Sequence, residues 1–285
     1  MTIMDNKAFL YGLIGFLFLS IQDALIKYGY TLTSEYTQIP TLVTILMLIL
    51  VYSLRKLGFI KKIKIEKKHI IPIISFGILN GIGNICMFFA FQELPLEEIY
   101  PIALLTPFVF TFISLKINKE QPNNKNYLGL LGGILGAYCI IEPSYSNLIL
   151  AHFVVLITVF SNSIRDVIVY TYKNIDKAYL ILSSQIIFLI VTYYLYGIPN
   201  FAHYNMTGGF HILMLLIAAT FSIGFLINLK GITLGRPEFM GFARYSQIIY
   251  GALISYLFFN SEIELLDIIG IIIIIISALS LIKLK

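Results

Sequence analysis

"SIQDALIKY" (residues 20–28) recurs in outline as "SIRDVIVYT" (residues 163–171). In both stretches a serine, an isoleucine, a polar residue and an aspartate follow one another within or at the end of a long apolar run. The two aspartates, Asp23 and Asp166, are 143 residues apart in a chain of 285 residues. A pattern that returns after half the chain predicts an internal duplication. A carboxylate within an apolar run is costly and therefore suggests a function.

The composition is that of an integral membrane protein. Hydrophobic residues make up 58% of the chain and charged residues 12%, whereas about 25% of the residues in a soluble domain are charged. The net charge of +5 does not indicate a nucleic-acid partner, because the cations fall between apolar runs. Cys86 and Cys139 lie inside such runs and are predicted to be small buried side chains, not disulfide partners. The first run, about 21 residues long, is predicted to remain as a spanning helix and not to be cleaved as a signal peptide.

Ten runs are candidates for membrane-spanning helices. A bilayer core requires about 20 apolar residues per helix, and backbone groups in lipid must be satisfied within the segment, which favours helices. The predicted spans are about 8–28, 37–54, 70–91, 99–115, 127–143, 148–170, 178–198, 210–232, 239–259 and 265–282.

The lysines and arginines predict the orientation of these spans. If the basic loop 55–69 is cytoplasmic, seventeen of the twenty Lys and Arg residues fall on that side, as the positive-inside rule requires. Lys27 then lies at the outer side, while Arg165 and Arg244 lie within spans. We therefore predict a multi-pass protein of the inner (plasma) membrane with both termini in the cytoplasm.

Five spans precede the midpoint and five follow it, so the two halves cross the membrane in opposite directions. Such inverted repeats are the basis of many transporters. The segments 95–120 and 235–262 are also similar and align Arg244 with Leu104. The predicted fold is all-α, with ten transmembrane helices arranged as two inverted five-helix repeats, 1–145 and 146–285, around a central cavity.

Several motifs resemble those of the drug/metabolite transporter superfamily, EamA family. They are "DALIKY" in the first span, "TPFVFTFISLKINKE" followed by "GLLGGILGAYCIIEP" in the fourth and fifth, and "GFARYSQIIYGALISYLFF" in the ninth. The "ARY" of the ninth span and the aspartates of the first and sixth look most like the S-adenosylmethionine uptake transporters. This resemblance implies secondary transport of small organic metabolites through a cavity between the two repeats.

Ionisable residues within spans are expected to face this cavity or a partner. Adjacent residues on a helix point about 100° apart, so Arg165 is predicted to be a poor partner for Asp166. Arg244, at a similar depth, is the predicted partner instead. Two alternatives remain open at this point: Asp23 can pair with Lys27 one turn later, and Arg244 can extend to the inner membrane surface.

Two further polar positions complete the predicted site. Asn84 shares a helix face with Asn80 in "LNGIGNI", and Tyr245 directly follows Arg244. The predicted substrate-binding residues are therefore Asp23, Asn84, Asp166, Arg244 and Tyr245. Asp23 and Asp166 are also the candidates for coupling transport to a proton.

The sequence does not indicate an enzyme. The four histidines are scattered without metal-ligand spacing, and no glycine-rich phosphate loop is present. We therefore expect no metal or cofactor, and transport driven by an ion gradient or by exchange. The predicted partners are a small-molecule substrate and the lipid bilayer, not nucleic acid, with the protein a monomer or a homodimer. The alternatives are a passive facilitator or channel of the same fold, or an intramembrane enzyme acting on lipid-linked intermediates.

Overall fold

The computed structural model of the chain describes residues 3–33, 38–94, 99, 102–103, 105–117, 119, 124–141, 150–196, 208–259 and 265–282. Within these residues all regular secondary structure is helical. The helices of the first half are α1 (Ile3–Tyr30), α2 (Gln38–Lys56), α3 (Lys67–Glu93), α4 (Leu105–Ile117) and α5 (Asn124–Ile141). Those of the second half are α6 (Leu150–Thr171), α7 (Lys177–Tyr196), α8 (Gly208–Leu234), α9 (Pro237–Phe259) and α10 (Leu265–Ile282).

Each predicted span overlaps one of these helices, but some helices extend beyond the apolar residues. The start of α3 illustrates why. Glu66 and His69 form a capping box in which each side chain accepts a hydrogen bond from the backbone N–H of the other. This cap satisfies free N–H groups and so allows the helix to begin at Lys67, three residues before the predicted span.

Six helices, α1, α2, α3, α6, α7 and α8, are long and apolar enough to cross a membrane, by length and composition. Shorter apolar segments lie in α4, α5 and α10, at Leu105–Ile117, Tyr127–Gly136 and Ile268–Ser277. The six helices are consistent with a multi-pass membrane protein. The larger number of ten spans stays a prediction.

The helix packing follows a regular scheme. Helix α1 packs against α8 and α9, and α6 packs against α3 and α4. Helix α3 also packs against α7, and α8 against α2. Three further contacts join α2 to α7, α4 to α9 and α5 to α10. The two halves are therefore interleaved, since all of these contacts join a helix of one half to a helix of the other.

Glycines allow the central helices to approach closely. A Cβ atom added to Gly224 in α8 would lie 3.0 Å from the carbonyl oxygen of Gly15 in α1, closer than such contacts normally are. A Cβ atom on Gly83 in α3 would lie 3.1 Å from Oδ1 of Asn162 in α6. Small residues at helix crossings are a common means of close packing in membranes. These two crossings bring α1, α3, α6 and α8 around one central cavity.

Candidate functional site

The central cavity has a volume of about 100 Å³ and is lined by six helices. These are α1, α3 and α4 from the first half and α6, α8 and α9 from the second. Its charged lining residues are two aspartates and two arginines, Asp23, Asp166, Arg165 and Arg244. The uncharged polar lining residues are Gln22, Asn84, Asn162, Asn228 and Gln247. The cavity is therefore polar at its centre although the helices that form it are largely apolar.

Asp166 is bound by two arginines. Nε and Nη2 of Arg165 lie 2.8 and 2.6 Å from its Oδ1 atom. Nη1 of Arg244 lies 3.4 Å from its Oδ2 atom. The residue is only 4% exposed, so the carboxylate is removed from bulk water and needs these partners.

The prediction that Arg165 is a poor partner for Asp166 is wrong. The Cβ atoms of adjacent helical residues do diverge, but the arginine side chain is long enough to fold back onto its neighbour. Asn80 in α3 and Asn162, one turn before Arg165, hold it in that position, because the Nη1 atom of Arg165 donates hydrogen bonds to both Oδ1 atoms. The guanidinium also lies 5.1 Å from the centre of the Phe225 ring.

The expected contact between Arg244 and Asp166 is present, and the Arg244 side chain lies against the cavity. Its side chain is 16% exposed and lines the cavity. The guanidinium lies 5.5 Å from the centre of the Phe16 ring in α1, within the range of cation–π attraction. Arg244 also interacts electrostatically with Asp23. Arg244 therefore contacts Asp166 directly and interacts with Asp23 through its charge.

Asp23 has different surroundings. Its Oδ2 atom accepts a hydrogen bond of 3.0 Å from Nε2 of Gln247 in α9. One turn along α1, Nζ of Lys27 donates to the carbonyl oxygens of Phe91 and Leu94 at the end of α3, at 2.9 and 2.8 Å. Lys27 thus links α1 to α3 and does not line the cavity.

Of the five predicted site residues, the structure brings Asp23, Asn84, Asp166 and Arg244 together around the cavity. Tyr245 does not line it. Its ring is buried against Gly133 in α5, where an added Cβ atom would lie 2.5 Å from the ring. The reason is helical geometry, because Tyr245 follows Arg244 directly and so points about 100° away from it.

Sequence reasoning missed several lining residues. Gln22 and Arg165 occupy the same position of the duplicated pattern, directly before the two aspartates, and this could have indicated them. Gln247 follows Arg244 by three residues and so shares its helix face, which is also a readable signal. The cavity is also lined by six phenylalanines, Phe16, Phe88, Phe91, Phe110, Phe221 and Phe225. They carried no such signal, because the chain contains 22 phenylalanines.

The first half of the chain is similar to a known protein family. A model of the EamA-like transporter family matches residues 6–142. The match covers slightly less than half of the chain, and this segment is similar to EamA-like transporters, which are membrane transporters of the drug/metabolite type. With its apolar helices, the chain is a multi-pass membrane protein.

The whole chain also shares its fold with a solved protein. A crystal structure of another protein superposes with a TM-score of 0.73 and covers 96% of this chain and 99% of its own. The two sequences are 14% identical, so this likeness concerns the fold alone. No curated protein matches the sequence.

Proposed function

We propose that the protein is a secondary transporter that moves a small polar organic metabolite across the inner (plasma) membrane by alternating access. The metabolite class includes amino acids and derivatives such as S-adenosylmethionine. One observation carries the proposal: a single cavity is lined by charged side chains from both halves of the chain. Buried charges of both signs, within apolar helices, are expected where a polar substrate must lose its water shell.

The two halves, 1–145 and 146–285, are proposed to be inverted repeats. The helix packing supports this proposal. If each helix is exchanged for the one five places further on, the α1–α8 contact becomes α6–α3, α1–α9 becomes α6–α4, and α3–α7 becomes α8–α2. The six helices that line the cavity are likewise three equivalent pairs: α1 with α6, α3 with α8, and α4 with α9.

Matched contacts at the helix crossings give further support. Gly83 faces Ser161 and Asn162 of α6, and Gly224 faces Phe18 and Leu19 of α1. Residues 18 and 19 are the positions 143 residues before 161 and 162, the same separation as between the two aspartates.

A second pair of contacts refines the repeat alignment. Oγ of Ser20 donates to the carbonyl oxygen of Gln247, at 3.3 Å, and Oγ of Ser163 donates to that of Thr106, at 3.2 Å. This correspondence equates Arg244 with Ala103, one position from the predicted Leu104, which lies outside the described residues. Either alignment leaves Arg244 without a charged equivalent in the first half. This asymmetry suits a role in binding a substrate that is itself asymmetric.

Coupling to a proton is a further part of the proposal, with Asp23 as the better candidate. Neutralising Asp166 would leave the guanidinium groups of Arg165 and Arg244 facing each other, which is unfavourable. Protonating Asp23 would disturb its contact with the neutral amide of Gln247 and an electrostatic interaction with Arg244 that is weaker than the one between Asp166 and Arg244. Asp23→Asn should therefore abolish the stimulation of uptake by a pH gradient. If uptake in both Asp23→Asn and Asp166→Asn responds to the gradient as the wild type does, neither residue is the coupling group.

Counterflow in proteoliposomes tests the transport function. Purified protein is first screened for thermal stabilisation by amino acids, S-adenosylmethionine and other small metabolites, and the strongest stabiliser is used as the labelled substrate. A carrier that works by alternating access should take up label faster when unlabelled substrate is present inside. Equal rates with and without internal substrate would favour the alternative, a passive facilitator. Arg244→Ala should lose uptake, and Arg236→Ala, outside the cavity, should retain it.

The proposed topology has ten spans and both termini in the cytoplasm. Single cysteines at Lys62 and Glu262, in a chain whose Cys86 and Cys139 are replaced by alanine, test it with a membrane-impermeant thiol reagent. Lys62 lies in the described loop between α2 and α3, and Glu262 lies outside the described residues. The two positions should react from opposite sides of the membrane. Reaction of both from one side would disprove the assignment.

A further inference from the structure

We propose that the two aspartates of the cavity have different tasks and that the substrate is a zwitterion with an apolar body. Arg244 binds its anionic group and Asp23 its cationic group, while Asp166 is a positioning residue that Arg165 holds in place. This inference rests on the transport function proposed above and narrows its substrate class.

The contacts of Asp166 support a positioning role. Its Oδ1 atom accepts two hydrogen bonds from Arg165, which is itself fixed by Asn80 and Asn162. An incoming amine would have to displace a buried guanidinium and leave both asparagines without their partner. Leaving such groups unpaired in a buried site is costly. Asp166 is therefore a poor ligand for a substrate that must bind and leave rapidly.

Arg244 is held more weakly than Arg165. Among the described residues its one hydrogen-bond partner is Asp166, at 3.4 Å, whereas the corresponding distances of Arg165 are 2.6 to 2.9 Å for three of its contacts. A guanidinium has five N–H donors in a planar fork that matches a carboxylate. The Asp166 contact thus orients Arg244 in the cavity and leaves donors for the anionic group of a substrate.

Asp23 provides the opposite pole. The cluster of Arg165, Arg244 and Asp166 has a formal charge of +1, and Asp23 contributes −1 to the cavity lining. Gln247, which contacts Asp23, follows Arg244 by three residues, so the two attachment points are about 4.5 Å apart along α9 by the helical rise. Neighbouring poles of opposite sign fit a compound whose anionic and cationic groups are close together.

The remainder of the cavity wall predicts the body of the substrate. Six phenylalanines line it: Phe16, Phe88, Phe91, Phe110, Phe221 and Phe225. They favour an apolar or aromatic group over a sugar or a second charged group. The combined features point to an apolar amino acid or a compound of the same charge pattern.

Matched probes test the assignment on the purified full-length protein. L-phenylalanine, L-leucine and L-methionine are each compared with their methyl ester, which retains only the cation, and their N-acetyl derivative, which retains only the anion. Binding is measured by thermal stabilisation and by titration calorimetry. At least one free amino acid should bind ten times or more tightly than both of its derivatives. The inference is overturned if an ester or an N-acetyl compound binds as tightly as its parent, or if none of the free amino acids binds.

Variants then separate the roles of these residues. The measured quantity is the ratio of the affinities for the free amino acid and its derivative, which a loss of stability alone does not change. Arg244→Gln should lower the preference for the free amino acid over its ester at least tenfold, and Asp23→Asn should do the same for the preference over the N-acetyl form. Arg236→Gln and Asp5→Asn, outside the cavity lining, are the matched controls and should change neither ratio. Asp166→Asn should leave the preference over the N-acetyl form unchanged, because Asp166 does not bind the cationic group, and should lower the preference over the ester less than Arg244→Gln does, because Asp166 only orients Arg244. If that variant does not fold, Arg165→Gln combined with Asp166→Asn, which leaves no buried charge at either position, takes its place.

Two outcomes would separate this inference from the transport proposal. A singly charged compound that shows accelerated exchange would overturn the zwitterion assignment and leave the transporter function standing. A zwitterion that binds with the expected ratios but shows no accelerated exchange would overturn the transporter function and leave the zwitterion assignment standing. A preference over the N-acetyl form that falls in Asp166→Asn as much as in Asp23→Asn would overturn the division of tasks.

Discussion

Asp23 and Asp166 occupy equivalent positions in the two halves of the chain, yet they have different surroundings. The residue before Asp23 is Gln22, and the residue before Asp166 is Arg165. Asp166 forms ion pairs with that arginine and with Arg244, whereas Asp23 accepts a hydrogen bond from the neutral amide of Gln247. Under the proposed duplication the two halves have similar carboxylates, and the different residues around them give the proposed positive and negative sides of the cavity.

The largest effect on stability is expected when the ion pair between Arg165 and Asp166 is removed. Arg165→Leu leaves Asn80 and Asn162 without their donor and Asp166 with one weak partner, which should cost about 3 kcal/mol of stability. Gln22→Leu, the same change at the equivalent position, should cost about 1 kcal/mol or less. The chain has no tryptophan, so unfolding is best followed with a thiol-reactive dye that reacts faster with Cys86 and Cys139, which are half-buried in the folded protein, when they become fully exposed.

A double-mutant cycle tests the physical reason for this difference. Arg165→Leu and Asp166→Leu together should be clearly more stable than the sum of the single changes indicates, because the pair is removed without leaving a buried charge opposite it. Additive losses would show that the ion pair is not the source of the effect.

The two helix crossings provide a second comparison between the halves. Alanine at Gly224 would place its Cβ atom against the backbone carbonyl of Gly15, which cannot move without shifting α1. Alanine at Gly83 would meet the Oδ1 atom of Asn162, the end of a side chain that can rotate. We expect Gly224→Ala to cost about 1–3 kcal/mol and Gly83→Ala less, as measured by the same dye. The reverse order would argue against α1 and α8 as the tighter crossing.

The role of Arg244 is tested by a substitution that retains its charge. Lysine cannot make a planar two-point contact with a carboxylate, so Arg244→Lys should weaken binding of an anionic group about tenfold, or about 1.4 kcal/mol. Calorimetry with the strongest stabiliser measures the change, and Arg236→Lys at the exposed α8–α9 turn is the control. Unaltered affinity in Arg244→Lys would contradict a direct role in recognition.

The helices could be predicted from the sequence because a bilayer imposes a strong requirement for long apolar runs. The helix ends were less predictable, since the start of α3 depends on the Glu66–His69 cap and not on hydrophobicity. The charged residues of the cavity were also predictable, because charge is rare in such segments. The spacing of the residues could not predict the path of a long side chain such as that of Arg165. It also could not predict which of two adjacent residues, Arg244 or Tyr245, faces the cavity.

The smallest effect is expected at Tyr245, which adjoins the most important residue of the proposed site but belongs to a different contact. Its ring packs against Gly133 of α5, away from the cavity lining. Tyr245→Phe preserves that packing and removes the hydroxyl, so substrate affinity should remain within about twofold, or about 0.4 kcal/mol, of the wild-type value. Gly133→Ala should be more harmful to stability, because its methyl group would overlap the ring. A loss of affinity in Tyr245→Phe comparable to that in Arg244→Lys would mean that the hydroxyl reaches the substrate, and that α9 turns toward the cavity during transport.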